Sequence, residues 1–210
     1  GDMIGDYLVQ NYSSVDLNGD GRISYVMFMG EKGNNEAIYR TRYSVENANK
    51  KLTEANHPPL EFYDRSNGDK FLLDKDGKWS AQSSNEYMTT ALTSYNTANK
   101  NMIELVICNN DNMAEGAISA LQTAGFNRGN GGATIPVFGV DATDAAKTLI
   151  RDGKMAGTIL QDGGAMATCL EAVIRNAMNG ESLLENIGDY TVDETVAKVR
   201  IPYGIYLGEE

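Results

Sequence analysis

The feature that most constrains the fold is a repeated alternation between two apolar patterns. Short runs of β-branched and aromatic residues, such as residues 103–108, are followed by longer segments with apolar residues at helical spacing. No tight hairpin signal separates consecutive runs. Strands joined through helices run parallel, because each helix carries the chain back to the same end of the sheet. The sequence therefore predicts an α/β fold: a Rossmann-like lobe with a parallel sheet and helices on both faces.

The elements of this fold follow one another along most of the chain. The predicted strands are residues 23–29, 60–63, 103–108, 135–140 and 156–161. The predicted helices are residues 36–56, 80–100 with Ser80 as the cap, 112–124, 143–151 and 165–178. The glycine-rich residues 127–133 are predicted to form a flexible connector and not a phosphate-binding loop, because no helix follows them in the required register.

Composition removes several classes of function. The chain has 18 basic and 29 acidic residues and a net charge of −11, and so negative a surface repels the phosphate backbone of nucleic acids. The single histidine, His57, lies in a proline-containing turn, where we expect a solvated side chain; alone, it supports no histidine triad and no histidine-based zinc site. Cys108 and Cys169 lie in apolar stretches and are expected to be buried free thiols.

The most specific local motif lies just before the first predicted strand. Side-chain oxygens occupy loop positions 1, 3 and 5, which are Asp16, Asn18 and Asp20. Gly21 at position 6 allows the sharp turn of a calcium loop, and Arg22 at position 7 offers its backbone carbonyl. This spacing is typical of a loop that binds Ca²⁺.

The loop is not an EF-hand, because position 12 is Met27 instead of a bidentate glutamate and the chain continues as a strand. Glu104, a charged residue at the start of an otherwise apolar strand, is the best source of the missing carboxylate. If the two strands are parallel neighbours, Glu104 lies beside Ser24, at loop position 9. The alternative is an Asx-rich turn without a metal. The predicted structural Ca²⁺ site comprises Asp16, Asn18, Asp20, Arg22, Ser24 and Glu104.

Polar side chains follow the predicted strands at their carboxyl ends, where ligands bind in open parallel sheets. Asn110, Asp141 and Gln161 stand at three of these ends. Planar polar groups suit a polyhydroxylated ligand, since they can bridge neighbouring hydroxyls. Trp79, the only tryptophan, would offer an apolar plate to a pyranose ring. The alternatives are helix caps for the polar residues, Asp111 among them, and core packing for Trp79.

Five motifs occur in order along nearly the whole chain, apart from an apparent insertion at residues 67–78. They are Asp16-Leu17-Asn18-x-Asp20-Gly21, Gly30-Glu31-x-Gly33, Asn109-Asn110-Asp111-x-Met113-Ala114, Ile135-Pro136-Val137-Phe138-Gly139-Val140-Asp141-Ala142 and Ala156-Gly157-Thr158-Ile159-Leu160-x-Asp162. Together they resemble those of periplasmic galactose/glucose-binding proteins. These are the sugar receptors of ABC importers and have the type I periplasmic-binding fold.

The resemblance implies a set of residues that contact a hexose, and a calcium loop that a distant glutamate closes. It also implies an extracytoplasmic location, in the periplasm or lipid-anchored at the cell surface, and two partners, the membrane subunits of an ABC transporter and a chemoreceptor. Asn34, Glu36 and Gln161 replace the usual histidine, aspartate and asparagine, and Ser24 replaces a longer calcium ligand. The implied sugar contacts are Asn34, Glu36, Arg40, Trp79, Asn110, Asp141 and Gln161.

The resemblance covers only the second half of such proteins, in which two lobes enclose the sugar. It implies that residues 1–161 form the carboxy-terminal sugar-binding lobe and that residues 162–198 belong to the amino-terminal lobe. Residues 199–210 would then return to the carboxy-terminal lobe. The other half is either a further part of the same protein or another chain.

The leading prediction is therefore a non-enzymatic hexose-binding protein that delivers sugar to an importer. The first alternative is the sugar-sensing domain of a transcription regulator, which the calcium loop disfavours. The second is an enzyme that uses Glu36 and Asp141 as a carboxylate pair.

Overall fold

The computed structural model describes residues 1–195 and 198–208. Its helices are α1 (Asp2–Val15), α2 (Asn35–Glu54), α3 (Ala81–Ser94), α4 (Asp111–Thr123), α5 (Asp144–Arg151) and α6 (Gly163–Asn179), with a short 3-10 turn at Thr97–Asn99. Its strands are β1 (Ser24–Met29), β2 (Glu61–Phe62), β3 (Leu72–Leu73), β4 (Leu105–Cys108), β5 (Val137–Asp141), β6 (Gly157–Gln161), β7 (Thr191–Asp193), β8 (Lys198–Arg200) and β9 (Tyr203–Tyr206).

The main sheet confirms the predicted α/β architecture. Its strand order is β2-β1-β4-β5-β6-β9, and β3 also pairs with β1. Among the described residues, all pairings from β1 to β6 are parallel, and β9 joins antiparallel at the edge beside β6. The carboxyl ends of β1, β4, β5 and β6 therefore meet at one edge of the sheet.

Both faces of the sheet are covered, because each central strand is apolar on both sides. Successive residues of β1 point to opposite faces, so Val26 and Phe28 pack into one core and Tyr25 and Met27 into the other. Residues of α3, α4 and α5 complete the first core. Residues of α1 and α2 complete the second.

Side-chain caps set where several helices begin. The side chains of Asn34, Ser80, Asn110, Thr143 and Asp162 each accept a hydrogen bond from the first turn of the following helix. This confirms Ser80 as a cap. The predicted helix 80–100 is too long, because α3 ends at Ser94 and a 3-10 turn follows it.

Four elements were absent from the prediction: α1, β3, the β7–β8 hairpin and β9. Met3, Ile4 and Leu8 of α1 are buried in the second core, so this helix is part of the lobe. The expectation that no hairpin joins consecutive strands is wrong for β7 and β8, which pair antiparallel. They lie on either side of residues 196–197, outside the predicted strands.

Two local expectations are corrected. His57 is a loop residue, as expected, but it is half-buried and not fully solvated, because its ring stacks on that of Tyr12, with 3.8 Å between centroids and 8° between planes. The connector 127–133 is anchored at its first residue. Asn127 is fully buried, and its side-chain nitrogen donates to the carbonyls of Ile135 at 2.7 Å and Lys154 at 2.9 Å.

Cys108 and Cys169 are buried free thiols, as expected. Of the helices in the described part of the chain, none combines the length and the apolar character needed to cross a bilayer.

The carboxy-terminal segment differs in packing from the rest. On α6, Met166, Leu170, Ile174 and Met178 are spaced four residues apart and are 44–83% exposed. They form an apolar stripe along one face of the helix. The division at residues 161/162 and 198/199 stays a prediction, although β9 does return to the main sheet.

Candidate functional site

An open pocket of about 310 Å³ lies at the carboxyl edge of the sheet. Its lining consists of the seven predicted sugar contacts, Asn34, Glu36, Arg40, Trp79, Asn110, Asp141 and Gln161. The structure thus brings together residues that are up to 127 positions apart in the chain. Their role as ligand contacts stays a prediction.

Each of these side chains is held at the pocket by the end of an element. Asn34 caps α2 and Asn110 caps α4, while Glu36 and Arg40 lie one helical turn apart on α2. Asp141 ends β5 and Gln161 ends β6, two neighbouring parallel strands. Trp79 immediately precedes Ser80, the cap of α3.

Arg40 connects most of the pocket. Its Nη1 donates to the Asn109 carbonyl at 2.8 Å and lies 3.5 Å from Asp141 Oδ1, and its Nη2 donates to Gln161 Oε1 at 3.3 Å. The side chain is only 13% exposed. Its Nε is buried, lies 3.8 Å from Glu36 Oε2, and has no hydrogen-bond partner among the described residues. A buried unpaired donor is unfavourable, so a ligand oxygen or a water is expected to complete it.

Trp79 explains the glycine of the Gly30-Glu31-x-Gly33 motif. A Cβ atom at Gly30 would stand 2.1 Å from the indole ring, so the ring packs directly on the Gly30 backbone. The guanidinium of Arg40 lies 5.6 Å from the indole centroid. Trp79 also packs against the first core, so core packing and pocket lining occur together.

The alternative prediction, that polar residues at the strand ends cap helices, is also correct for two pocket residues. Asn34 Oδ1 accepts from Glu36 N and Ala37 N, and Asn110 Oδ1 accepts from Met113 N. Capping engages the oxygen of each amide, and each nitrogen donates elsewhere: the Asn34 nitrogen donates to Glu31 Oε2 at 2.9 Å. The Asn110 nitrogen now donates to the Trp79 carbonyl at 3.4 Å, a long bond that a ligand oxygen can replace.

Asp141 has an unusual backbone. Its φ is +120° and that of the following Ala142 is +55°, values that residues with a side chain rarely adopt. Burial raises the pKa of Asp141, while the charge of Arg40 and its hydrogen bond act in the opposite direction. Strain of this kind persists where the surroundings hold it, and it is common in binding sites.

The structure adds residues that the sequence reasoning missed. Tyr203 of β9 donates to Glu36 Oε2 at 3.3 Å and lines a second pocket of about 490 Å³, which shares Glu36 and Gln161 with the first. Asp111 does not cap α4, since Asn110 does so. It is the first helical residue, fully buried, and bonded to Thr143 and Thr158.

Nothing in the pocket resembles the carboxylate pair of a hydrolase. Glu36 and Asp141 each approach the guanidinium of Arg40, at 3.8 Å and 3.5 Å. Both carboxylates therefore face the same guanidinium, an arrangement that suits hydrogen bonds to ligand hydroxyls.

The predicted calcium loop is closed by its own side chains. Asp16 accepts from the backbone nitrogens of Gly19, Asp20 and Gly21, at 2.8–3.2 Å. Asn18 accepts from Asp20 N, at 2.8 Å. Asp20 accepts from Arg22 N, at 2.9 Å. These bonds also satisfy an Asx-rich turn, which was the predicted alternative.

Glu104 lies where the parallel pairing of β1 and β4 was expected to place it. It is fully buried; its Oε1 accepts from Asn18 N at 3.1 Å and its Oε2 from Ser24 N at 3.0 Å. Burial raises the pKa of Glu104, and the negative charge of Asp16 raises it further. The Ser24 hydroxyl does not face the loop, because it donates to the Met102 carbonyl.

The described residues contain no group of three or more His, Cys, Asp or Glu side chains arranged around a common metal position. The donor chemistry nevertheless suits a hard cation, since all candidate ligands of the loop are oxygens. Three of them, on Asp16, Asp20 and Glu104, are carboxylates.

Comparison with known proteins agrees with this geometry. Residues 1–182 match the family described as periplasmic binding protein domain. The chain is 32% identical over 203 residues to the D-galactose/methyl-galactoside binding periplasmic protein MglB of Haemophilus influenzae. The match covers 97% of this chain and 53% of that protein, so the chain spans about half the length of this relative.

Solved structures share the fold. An ABC transporter solute binding protein from Bacillus halodurans with bound myo-inositol superposes with a TM-score of 0.64 at 24% identity, over 99% of this chain and 57% of that one. Another from Clostridium phytofermentans, with bound β-D-glucose, has a TM-score of 0.64 at 20% identity, over 98% and 60%. These relatives are binding proteins, in agreement with the prediction of a non-enzymatic chain. The chain belongs to the periplasmic binding protein family.

Proposed function

We propose that the full-length protein is an extracytoplasmic receptor for a hexose of the galactose or glucose kind and delivers it to an ABC importer. The observation that carries this proposal is the convergence of the seven predicted residues on one pocket. The partners we propose are the membrane subunits of the importer and a chemoreceptor. The D-galactose/methyl-galactoside binding role in the name of MglB and the β-D-glucose bound in the structure from C. phytofermentans support a sugar over other solutes.

The pocket has the groups that a pyranose requires. Hydroxyls both donate and accept, so a ring of them is best bound by carboxylate, amide and guanidinium groups together. Arg40 offers its unpaired Nε, Asp141 offers acceptors, and Asn110 offers its weakly bonded amide nitrogen. The indole of Trp79 supplies the apolar surface against which sugar C–H groups pack.

The pocket is open on one side, and we propose that the other half of the receptor covers it. The apolar stripe of α6 lies next to this opening. Met166 of the stripe lines the second pocket, which shares Glu36 and Gln161 with the first. A contiguous row of exposed apolar side chains is typical of a surface that packs against protein. The half of the receptor that this chain does not span is its proposed partner.

Calorimetric titration of the full-length protein tests the sugar proposal. D-galactose and D-glucose are expected to bind with micromolar or tighter affinity, and D-ribose, D-allose and myo-inositol serve as competitors. Asp141→Asn removes a charged acceptor and is expected to weaken binding at least tenfold, about 1.4 kcal/mol. Asp144→Asn on the exposed first turn of α5 is the matched control. Absence of binding for both hexoses would reject the proposal.

We also propose that the loop at residues 16–24 binds a structural Ca²⁺. The support is the buried Glu104 carboxylate, which the β1–β4 pairing brings to a loop that already holds two aspartates. The ion would be held by Asp16, Asn18, Asp20 and Glu104 with the Arg22 carbonyl, and would neutralise charges that otherwise repel one another. Ser24 would contribute through its backbone nitrogen, which donates to Glu104 Oε2.

Thermal unfolding with and without Ca²⁺ tests this site. We expect saturating Ca²⁺ to raise the melting temperature of the wild type and to have no effect on Glu104→Gln, because binding to the folded state alone adds to stability. Glu86→Gln, on the surface of α3, is the control and should respond as the wild type does. If the wild type itself is indifferent to Ca²⁺ and to a chelator, the loop is an Asx-rich turn.

A further inference from the structure

The turn that follows β5 needs an external support. Asp141 and Ala142 both have positive φ values, +120° and +55°. Non-glycine residues adopt such conformations at a cost of roughly 1–3 kcal/mol each, and keep them only where neighbouring groups fix the backbone. Asp141 is also the pocket residue whose carboxylate lies 3.5 Å from Arg40, so whatever fixes this turn also fixes the pocket.

The groups that fix the turn are buried beneath the pocket. Thr143 N donates to Asp111 Oδ2 at 2.8 Å, and Ala142 N donates to the Thr158 hydroxyl at 3.4 Å. The Thr158 hydroxyl in turn donates to Asp111 Oδ1 at 2.6 Å. Asp111 and Thr158 are both fully buried. Two consecutive amides of the turn therefore connect to one carboxylate, one directly and one through Thr158.

The space for the Asp111 carboxylate depends on a glycine in β5. A Cβ atom at Gly139 of β5 would stand 2.3 Å from Asp111 Oδ1. A residue with a side chain at this position would push Asp111 away from Thr158. Gly139, Asp111 and Thr158 thus form one structural unit, although they belong to β5, α4 and β6.

Asp111 is not held there by charge pairing. None of the ion pairs among the described residues includes it. Two ionisable groups face it: Asp141, whose negative charge opposes its ionisation, and the buried thiol of Cys108, whose pKa its own charge helps to raise. Its favourable contacts are the hydrogen bonds to the turn and to Thr158, together with its place at the N-terminal end of α4.

We propose that Asp111 is a positioning residue for the binding site: through Thr143 and Thr158 it holds the strained turn that directs Asp141 towards Arg40. Asp111 does not line the pocket and is not expected to touch a ligand. Its removal should lower ligand affinity only through Asp141. This inference rests on the proposed function for its consequence, but the clamp itself exists without ligand.

The ligand-free test is an NMR titration of the ¹⁵N-labelled full-length protein between pH 7.5 and 5. The Thr143 amide is expected to shift with the midpoint of the Asp111 carboxyl and to lose this response in Asp111→Asn. Asp141→Asn and Asp144→Asn should keep the response, which separates Asp111 from its charged neighbours. A Thr143 amide that ignores the ionisation of Asp111 would overturn the proposal.

The ligand test is calorimetry with D-galactose and D-glucose, up to millimolar concentrations. Asp111→Asn and Thr158→Val are each expected to weaken binding about threefold to tenfold in the wild type and to have no further effect in an Asp141→Asn background. Equal losses in both backgrounds, or no loss in the wild type, would overturn the positioning role. If the wild type binds neither hexose, the proposed function fails and the amide titration alone decides the clamp.

Discussion

Arg40 joins helix α2 to the ends of three strands, β4, β5 and β6, and its contacts bring their polar residues to one place. Its guanidinium reaches Asn109, Asp141 and Gln161, and its Nε remains unpaired. A lysine carries the same charge but lacks the planar fork. The role of Arg40 in the pocket therefore depends on the planar shape of its guanidinium more than on its positive charge.

At Gly30 the absent side chain matters most. Gly30→Ala would place a Cβ 2.1 Å from the Trp79 ring, so the rigid indole must move. We expect a loss of about 1–3 kcal/mol in unfolding free energy and a shifted emission spectrum, because Trp79 is the only tryptophan. Gly68→Ala is the control, since a Cβ there meets no atom within 4 Å. An unchanged emission spectrum in Gly30→Ala would contradict the packing described.

Asp111 gives stability a pH dependence with a definite sign. Burial raises the pKa of Asp111 to about 6, whereas an unfolded aspartate titrates near 3.9. Between these values the folded state keeps a proton that the unfolded chain releases, so this residue's contribution to stability falls as pH rises. By urea unfolding, Asp111→Asn should gain about 1 kcal/mol relative to the wild type between pH 5 and 7.5. A constant difference would argue against the raised pKa.

At the scale of elements, helix caps and pocket residues coincide. Asn110 caps α4 with its oxygen and turns its nitrogen to the pocket side. Asn110→Asp keeps the capping oxygen and removes the nitrogen donor, whereas Asn110→Ala removes both. We expect stability close to wild type for the first and a loss of about 1 kcal/mol for the second, with sugar affinity reduced in both. Equal affinity of Asn110→Asp and the wild type would exclude the amide nitrogen as a contact.

The elements differ in how well the sequence predicts them. β1, β4 and β5 are largely apolar on both faces and β6 contains a short apolar run, and turn residues bound all four. Their positions and parallel pairing could therefore be derived, including the approach of Glu104 to the loop. α1 does carry apolar residues at helical spacing, Ile4, Leu8, Tyr12 and Val15, so its signal was present and was missed. β7 and β9 are short and partly exposed, so no periodic signal marks them. The left-handed turn at Asp141 was not predictable either, since it depends on Asp111 from a distant helix.

At the scale of the whole molecule, the chain carries an apolar surface that its described residues leave exposed. It spans 53% of its relative from H. influenzae, and the stripe on α6 exposes Leu170 and Ile174 at 59% and 51%. In a preparation limited to residues 1–210, we expect this stripe to bind a hydrophobic dye. Leu170→Lys with Ile174→Lys should abolish most of the signal, and Arg175→Lys is the control. Unchanged dye binding would place the exposed apolar surface elsewhere.

The convergence of the seven pocket residues was derived from strand ends and from family resemblance, and the structure places all seven in one lining. The central claim is that this lining holds a sugar. A crystal structure of the full-length protein with D-galactose tests it most directly. The expected result is a pyranose against Trp79, with a hydroxyl oxygen accepting from Arg40 Nε and another bonded to Asp141. A sugar bound elsewhere, with Arg40 Nε still unpaired, would contradict the account.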